Sequence, residues 1–374
     1  MNKRERVLTT LQLQEPDIIP IHSLGFEPTG TAYQTYVNSE EIDQLMTVIP
    51  SIGDITEQRF WNQDCHAMSP FPAFMNYKIP PPEEYADCRI DHAGRIKKKI
   101  LTAKTRQSYD FYVTGYFRTK EILHEYWNRY GRPVDHLNDA MKNEKGVWDQ
   151  YVSALAPYLY PIPRLAMSIH ESLFEGMTMG RLAYYIRKDP AFIHEVCNEY
   201  CKPNLEMINR LAEAGVDVVF FYDDLGQRDR SILSLGAFRE FILPYYKKIY
   251  QECKRHSMYI IQHSCGYIDE FLPDMVDAGL SCIQALEPAA GVNLGQLKEK
   301  LGDRVAFMGG MDSSRILNFG TPADIEADVK KCIQAAAKGG GYFAGPSHNI
   351  LDVPWQNIEA FRAALNKYRH YPIR

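Results

Sequence analysis

His263 and Cys265 stand one residue apart in "YIIQHSCGYIDEF" (259–271), where an apolar run gives way to a glycine. Alternate residues of an extended chain point to the same side, so the imidazole and the thiol face one space, with Gly266 easing the turn beyond. The pair suits zinc, which takes thiolate and imidazole ligands at roughly 2.3 and 2.0 Å. Two ligands do not complete a site, and a third must come from elsewhere in the chain. His348 in "GPSHNI" is the first candidate, with Glu287 and Asp224 as others. A site that keeps an open position would be catalytic rather than structural. The plainer alternative is a His-x-Cys pair with no metal. Cys197 and Cys201, four apart in a helical pattern, fit a packed core face, and Cys282 fits a buried hydrophobe.

The elements that must position this pair are legible as short apolar runs bounded by glycine, proline or polar residues. "RLAMSIH" (164–170), "VDVVFFYDD" (216–224), "MYIIQHS" (258–264), "LSCIQALE" (280–287), "RVAFMGG" (304–310) and "GGYFAGPS" (340–347) read as buried strands. Helical patterns lie between them. One ends at Gly215, a second is kinked or split at Pro244, and a third starts with Thr321 as N-cap and Pro322 at the first position. Strand–helix alternation with nearly continuous apolar strands predicts a parallel sheet covered by helices. A β/α barrel fits, and a doubly wound open sheet is the alternative. No glycine-rich phosphate loop follows a strand, which weakens the nucleotide-binding form of that alternative.

In a barrel the chemistry gathers at the C-terminal ends of the strands. Those ends read His170-Glu171, Tyr222-Asp223-Asp224, His263-Cys265, Glu287, Met311-Asp312 and Ser347-His348. Strand ends are where polar residues begin in any case. The recurrence of histidine and cysteine at this edge speaks for a site. Tyr222, Asp223 and Asp224 are the expected catalytic residues, and His170, Glu175 and Met311 the expected substrate contacts. His263, Cys265, His348 and Glu287 are the expected metal ligands.

The chain of 374 residues is 45% hydrophobic and 24% charged, with a formal net charge of −5. That is material for a sizeable core and argues against nucleic acid as a partner. No apolar run reaches the roughly 18 residues of a membrane span, and the start "MNKRERVLTTLQLQEPD" lacks the apolar core of a signal peptide. The eight cysteines are scattered and read as reduced thiols of a cytoplasmic protein. A homodimer is allowed, and nothing in the sequence selects it.

Several segments together carry a resemblance: "NKRERVLTTLQLQEPDIIPI", "AGVDVVFFYDDLG", "FREFILPYYKKIY", "IIQHSCGYIDEFLPDMVDAGL", "GDRVAFMGGMDSSRIL" and "GGGYFAGPSHNI". In this order they are similar to the uroporphyrinogen decarboxylase superfamily over nearly the whole chain. The resemblance implies a single (β/α)8 TIM barrel over residues 1–374, with an N-terminal helical/β-hairpin extension over the barrel within residues 1–120. One branch decarboxylates uroporphyrinogen without a cofactor and grips its carboxylates with arginines near the N-terminus. This chain departs from that branch: between Arg6 and Arg59 there is no Lys or Arg. The other branch comprises corrinoid-dependent methyltransferases, whose zinc motif is a His-x-Cys pair plus a later Cys. His263 and Cys265 fall on the pair. The later Cys falls on His348, a departure that leaves a His-Cys-His site or weak metal binding.

The resemblance therefore implies a zinc-assisted methyltransferase. It would move a methyl group between a corrinoid carried by a partner protein and a small methyl donor or acceptor, such as a methoxylated aromatic, a methylamine, a thiol or a folate. The competing expectation is a cofactor-free decarboxylase of a small organic acid, with Asp224 and His348 as its polar centre. A non-enzymatic tetrapyrrole carrier ranks last, because a carrier needs fewer convergent groups.

The N-terminal part says less. "IDHAGRIKKKILTAKTRQSYDFYVTGYF" (90–117) alternates enough for a hairpin or small sheet over the barrel, with Lys97, Lys98 and Lys99 as a solvated face. "RFWNQ" (59–63), "FPAFMNY" (71–77) and "YWNRYG" (126–131) could wall a pocket, and core packing is the simpler reading.

Overall fold

The structure, a computed structural model, describes residues 1–71, 81–101 and 108–373. Seven strands and one short extended segment, all parallel, close on one another. They are β1 (Cys65–Met68), β2 (Tyr160–Pro163), β3 (Val218–Tyr222), β4 (Tyr259–Ser264), β5 (Cys282–Ala285), β6 (Ala306–Gly309) and β7 (Tyr342–Phe343), with residues 18–22 as the remaining stave. β3 to β7 form one sheet in sequence order, and β1 pairs with β2. A bridge between Arg164 and Phe220 joins β2 to β3, and one between Ile21 and Ala344 joins the first stave to the end of β7. The Asp64 amide donates to Ile21 O at 2.8 Å and closes the ring on β1. This is a (β/α)8 barrel. Its strands are buried almost throughout, the reason their sequences run apolar without alternation.

One strand is displaced from its expected place. "RLAMSIH" (164–170) is not a strand. The stave is β2, "YPIP", four residues earlier, and residues 164–169 form the loop leading to the helix His170–Met177. Two prolines argue against a central strand, because each lacks a donor. Here the Tyr160 and Arg164 amides donate to Asp64 and Met68 on the β1 side. Pro161 and Pro163 alternate with them and face β3, where pairing has shrunk to the single bridge at Arg164. The prolines sit where no donor is needed.

The other expectations hold locally. The long helix Pro190–Ala214 ends with Gly215 in the left-handed conformation at φ 91°. Pro244 opens the helix Leu243–Arg255 behind a π-turn at Phe238–Ile242, so this region is two helical pieces. Thr321 caps Pro322–Ala336 in a reciprocal capping box with Asp324. The helix Lys3–Leu11 lies across the N-terminal ends of the staves, where Arg4 pairs with Asp217 at 2.8 Å and Lys3 donates to Gln63 O at 2.7 Å. Among the described residues no helix is long and apolar enough to cross a membrane.

Arg89–Ile90, Arg95–Leu101 and Ser108–Gly115 do form a small antiparallel sheet, and residues 102–107 lie outside the described residues. The sheet packs on the helix His170–Met177 at the barrel mouth. Tyr112 OH donates to Glu175 O at 2.9 Å, the Phe117 amide donates to Gly176 O at 2.9 Å, and Arg95 reaches Glu171 and Glu175 at 3.2 and 3.1 Å. Of the lysines expected on a solvated face, Lys98 is exposed and pairs with Asp87, whereas Lys97 is mostly covered and pairs with Asp91, the carboxylate that also holds Arg95. Of the aromatic stretches, Phe60, Trp61, Tyr126 and Trp127 are core, while residues 72–77 lie outside the described residues. Cys197, Cys201 and Cys282 are buried, and all eight cysteines are free thiols.

Candidate metal centre

β4 delivers His263 one residue before its end and Cys265 one residue after it. The strand register sets His263 opposite Tyr222 on β3 and Gln284 on β5. His263 Nδ1 hydrogen-bonds Gln284 Oε1, and its Nε2 lies 3.4 Å from Asp224 Oδ1. The same Asp224 oxygen accepts the Cys265 amide at 3.0 Å. Beyond Cys265 the chain crosses the loop after β3 with backbone on backbone. A Cβ at Gly266, itself at φ +76°, would stand 2.5 Å from Gly226 C, so a side chain there would push the two loops apart.

Two sets of ligand atoms gather around the thiol, and within each set every atom lies within 4.8 Å of the others. One set is Asp224, His263 and Cys265; the other is Cys265, Glu287 and His348. Glu287 follows Ala285 and Leu286, whose positive φ values of 106° and 61° are uncommon for residues with a Cβ. That bent strand end sets Glu287 beside Cys265.

The electrostatics favour a cation. Burial, then the charges of Asp224 and Glu287, push the Cys265 thiol well above its usual range. Burial also raises Glu287. Burial opposes the charged form of His263 as well, yet Asp224 at Nε2 and Gln284 at Nδ1 hold its pKa above the ordinary value. Asp224, despite burial, is held well below the carboxylate range by His263 and the Cys265 amide. Burial and His263 lower His348. The pocket thus holds more acid than base around a thiol. Thiol, imidazole and carboxylate together are a donor set for zinc rather than for calcium or magnesium, which take oxygen ligands. Gln284 fills the orienting role that metal-bound histidines require at their second nitrogen. The residues present therefore fit zinc.

A family model described as "Uroporphyrinogen decarboxylase (URO-D)" matches residues 168–368, more than half of the chain. The chain belongs to the uroporphyrinogen decarboxylase family. Curated relatives include the uroporphyrinogen decarboxylases of Pelodictyon phaeoclathratiforme, 27% identical over 180 residues, and of Neisseria meningitidis, 28% identical over 166 residues. The first match covers 46% of this chain and 48% of the relative, and the second 43% and 44%. The chain thus spans about half the length of the curated relatives it matches. Among solved structures, a "methyltransferase from Methanosarcina mazei" superposes with a TM-score of 0.62 over 98% of this chain and 99% of that one. At 16% identity this shows a shared fold.

The remaining expected residues of this decarboxylase-family barrel sit around the centre in different ways. Tyr222 lies with its ring 5.3 Å from that of His263. Asp223 is fully buried and turned away from the mouth. Its carboxylate accepts the amides of Ile169, His170 and Glu171 at 2.8, 2.9 and 2.7 Å and the Tyr246 hydroxyl at 2.8 Å, capping the helix His170–Met177. Burial raises its pKa to about 6 against these hydrogen bonds. His170 is also fully buried, and its Nδ1 donates to Asp224 O at 2.6 Å. Glu175 is paired with Arg95, and Met311 is buried where the Ser347 amide donates to its carbonyl at 2.7 Å.

Sequence reasoning passed over Gln284 and Arg164, and it placed Glu171 at a strand end without giving it a role. Gln284 is the lone polar residue in the apolar "CIQAL", a visible signal whose meaning needs the strand register. Glu171 is half-buried at the mouth, and desolvation raises its pKa to about 7. Arg164 was hidden by the misplaced strand.

Proposed function

We propose that this protein is a zinc-assisted methyltransferase. It moves a methyl group between a small methylated substrate, or a thiol or folate acceptor, and a corrinoid carried by a partner protein. The observation that carries the reading is the pair of ligand sets sharing Cys265 at the barrel mouth, with Gln284 on the far nitrogen of His263. The likeness in fold to a methyltransferase from Methanosarcina mazei is consistent with it.

Cys265 would hold the metal either with His263 and Asp224 or with Glu287 and His348. Bound zinc supplies a Lewis acid that makes a coordinated thiol a thiolate at neutral pH or polarises a bound oxygen. The chain's own residues do the rest. Gln284 keeps the His263 proton on Nδ1, which leaves Nε2 free to ligate. His170 fixes the Asp224 backbone, and Asp223 fixes the helix that carries His170. Tyr222 and Asp224 border the centre within reach of a substrate heteroatom, where Tyr222 can donate a proton and Asp224 accept one.

The test is transfer of a methyl group to or from free cobalamin, followed by its absorbance with a panel of methyl donors, in wild type and Cys265→Ser. The reading expects transfer in wild type and none in a metal-free Cys265→Ser. Transfer that persists in the metal-free variant would overturn the mechanism.

A second reading is a cofactor-free decarboxylase of a small acid, with Asp224 and His348 as its polar centre. The names of the curated relatives favour it. It predicts turnover indifferent to chelators and to replacement of Cys265.

A further inference from the structure

Arg164 is a cation at the barrel mouth that no acid among the described residues pairs with. It sits just past β2, at the C-terminal end of the staves where the metal ligands gather. Its Nε donates to Ala67 O at 3.1 Å, and its Cζ lies 5.1 Å from the centre of the Tyr222 ring. Among the described residues nothing accepts from its two terminal nitrogens, and no carboxylate lies within ion-pair distance. Arg6 and Arg95, also partly buried, have acids: Arg6 has Asp17 and Asp64, and Arg95 has Asp91, Glu171 and Glu175. Arg59 and Arg118 instead spend their terminal nitrogens on neutral oxygens of Leu45, Thr47 and Tyr85.

The neighbours of Arg164 supply no counter-charge. They are Tyr222 and the histidines His22 and His66, both held neutral by burial and then by neighbouring positive charge that includes Arg164. The His22 ring stacks 5.9 Å from Phe220, whose own ring lies 4.7 Å from Tyr222. His22 Nδ1 faces Cys65 O at 3.2 Å and must carry the proton, so its buried Nε2 is an acceptor with no partner. The Ser23 hydroxyl beside it is buried and unpartnered as well. Tyr222 touches Arg164 on one hand and His263 on the other, so a single ring spans the space between guanidinium and candidate metal ligand.

We propose that Arg164 anchors a carboxylate of the small substrate, across the Tyr222 ring from the reacting end at His263 and Cys265. The substrate class is a small carboxylic acid with a flat or aromatic body that lies along Tyr222. The fork of a guanidinium matches a carboxylate with two parallel hydrogen bonds, which neither a histidine nor a lysine reproduces. His22 Nε2 and the Ser23 hydroxyl would take a hydroxyl or N–H on the same body. The inference rests on the proposed function only in placing the reacting end at Cys265; the anchor itself does not need the metal.

The experiment is calorimetric titration of the full chain with 4-methoxybenzoate, 4-methoxybenzamide and anisole. Wild type, Arg164→Met, Arg164→Lys and Cys265→Ser are compared, with thermal unfolding of each as a check on folding. The carboxylate is expected to bind wild type at least about tenfold more tightly than the amide or anisole. That preference should disappear in Arg164→Met, recover in part in Arg164→Lys, and survive in Cys265→Ser. Equal binding of acid and amide, an unchanged preference in folded Arg164→Met, or no binding of the acid would overturn the anchor. Loss of metal or of methyl transfer with the preference intact would instead count against the proposed function alone.

Discussion

His263 and Gln284 are bonded side chain to side chain across adjacent parallel strands, Nδ1 to Oε1. The bond fixes which nitrogen of the ring carries the proton, and it turns Nε2 toward Asp224 and Cys265. Gln284 never touches the centre itself, yet it decides what His263 offers to it.

Replacing Gln284 with leucine should therefore weaken metal binding without removing a ligand. A partner that orients a metal ligand in this way is worth roughly 10- to 100-fold in affinity. Zinc competition against a chromophoric chelator reads the change. Equal affinity in wild type and Gln284→Leu would mean that His263 is not held by this bond.

Asp223 is a different kind of residue from its neighbour Asp224. It accepts three backbone amides and the Tyr246 hydroxyl inside the protein. An asparagine there can accept at one oxygen only and turns an N–H₂ toward donors. Asp223→Asn should cost about 1–3 kcal/mol of stability for each donor left buried and unpaired. Urea unfolding measures it, and a variant as stable as wild type would refute the capping role.

The bottom of the barrel is tied by one carboxylate. Asp64 takes Arg6 Nη1 at 2.5 Å, Arg369 Nη2, and the Ile21 amide at 2.8 Å, so it holds the first helix, the last residues and the first stave together. Asp64→Asn leaves two partly or fully buried guanidinium groups short of a counter-charge. Breaking a buried pair from one side typically costs about 3–5 kcal/mol. A loss below about 1 kcal/mol in urea unfolding would show that Asp17 and solvent compensate.

Stability should fall as the solution is acidified. Burial lowers His22 to about 4, His66 to about 3 and His170 to about 4. In the unfolded chain these side chains titrate near 6.5. Between those values these three rings bind more protons unfolded than folded, so their contribution to stability rises with pH, while Asp223 and Glu171, raised to about 6 and about 7, act in the opposite sense. The contribution is fully present above about pH 6.5 and drains away toward pH 4. Unfolding free energies measured from pH 7 to pH 4 should show the slope, and His22→Asn should make it shallower. A slope in His22→Asn equal to that of wild type would contradict the burial of His22 as a neutral imidazole.

The barrel was legible because its strands are buried on both sides, and such strands write themselves as apolar runs. β3 to β7 fall inside the runs expected of them, and His263 and Cys265 were placed by spacing alone. β2 was not legible. "YPIP" carries two prolines that sequence rules set against a central strand, and only the register shows that both face a side where pairing has lapsed. That error hid Arg164, which the shifted frame put at the beginning of a strand and which stands just past the end of one. Asp223 and Asp224 look equivalent in "YDDLG", yet adjacent residues at a strand end face opposite ways, one to the helix layer and one to the mouth. Which faces which depends on contacts with Ile169 and Cys265 that lie far away in the chain.

The central claim is that the groups around Cys265 hold a metal. Elemental analysis of the protein supplied with zinc, in wild type and in Cys265→Ser, tests it most directly. About one zinc per chain in wild type, lost in the variant, is the expected result. No metal in either protein, or equal metal in both, would contradict the account and leave Cys265 an ordinary thiol at the end of a strand.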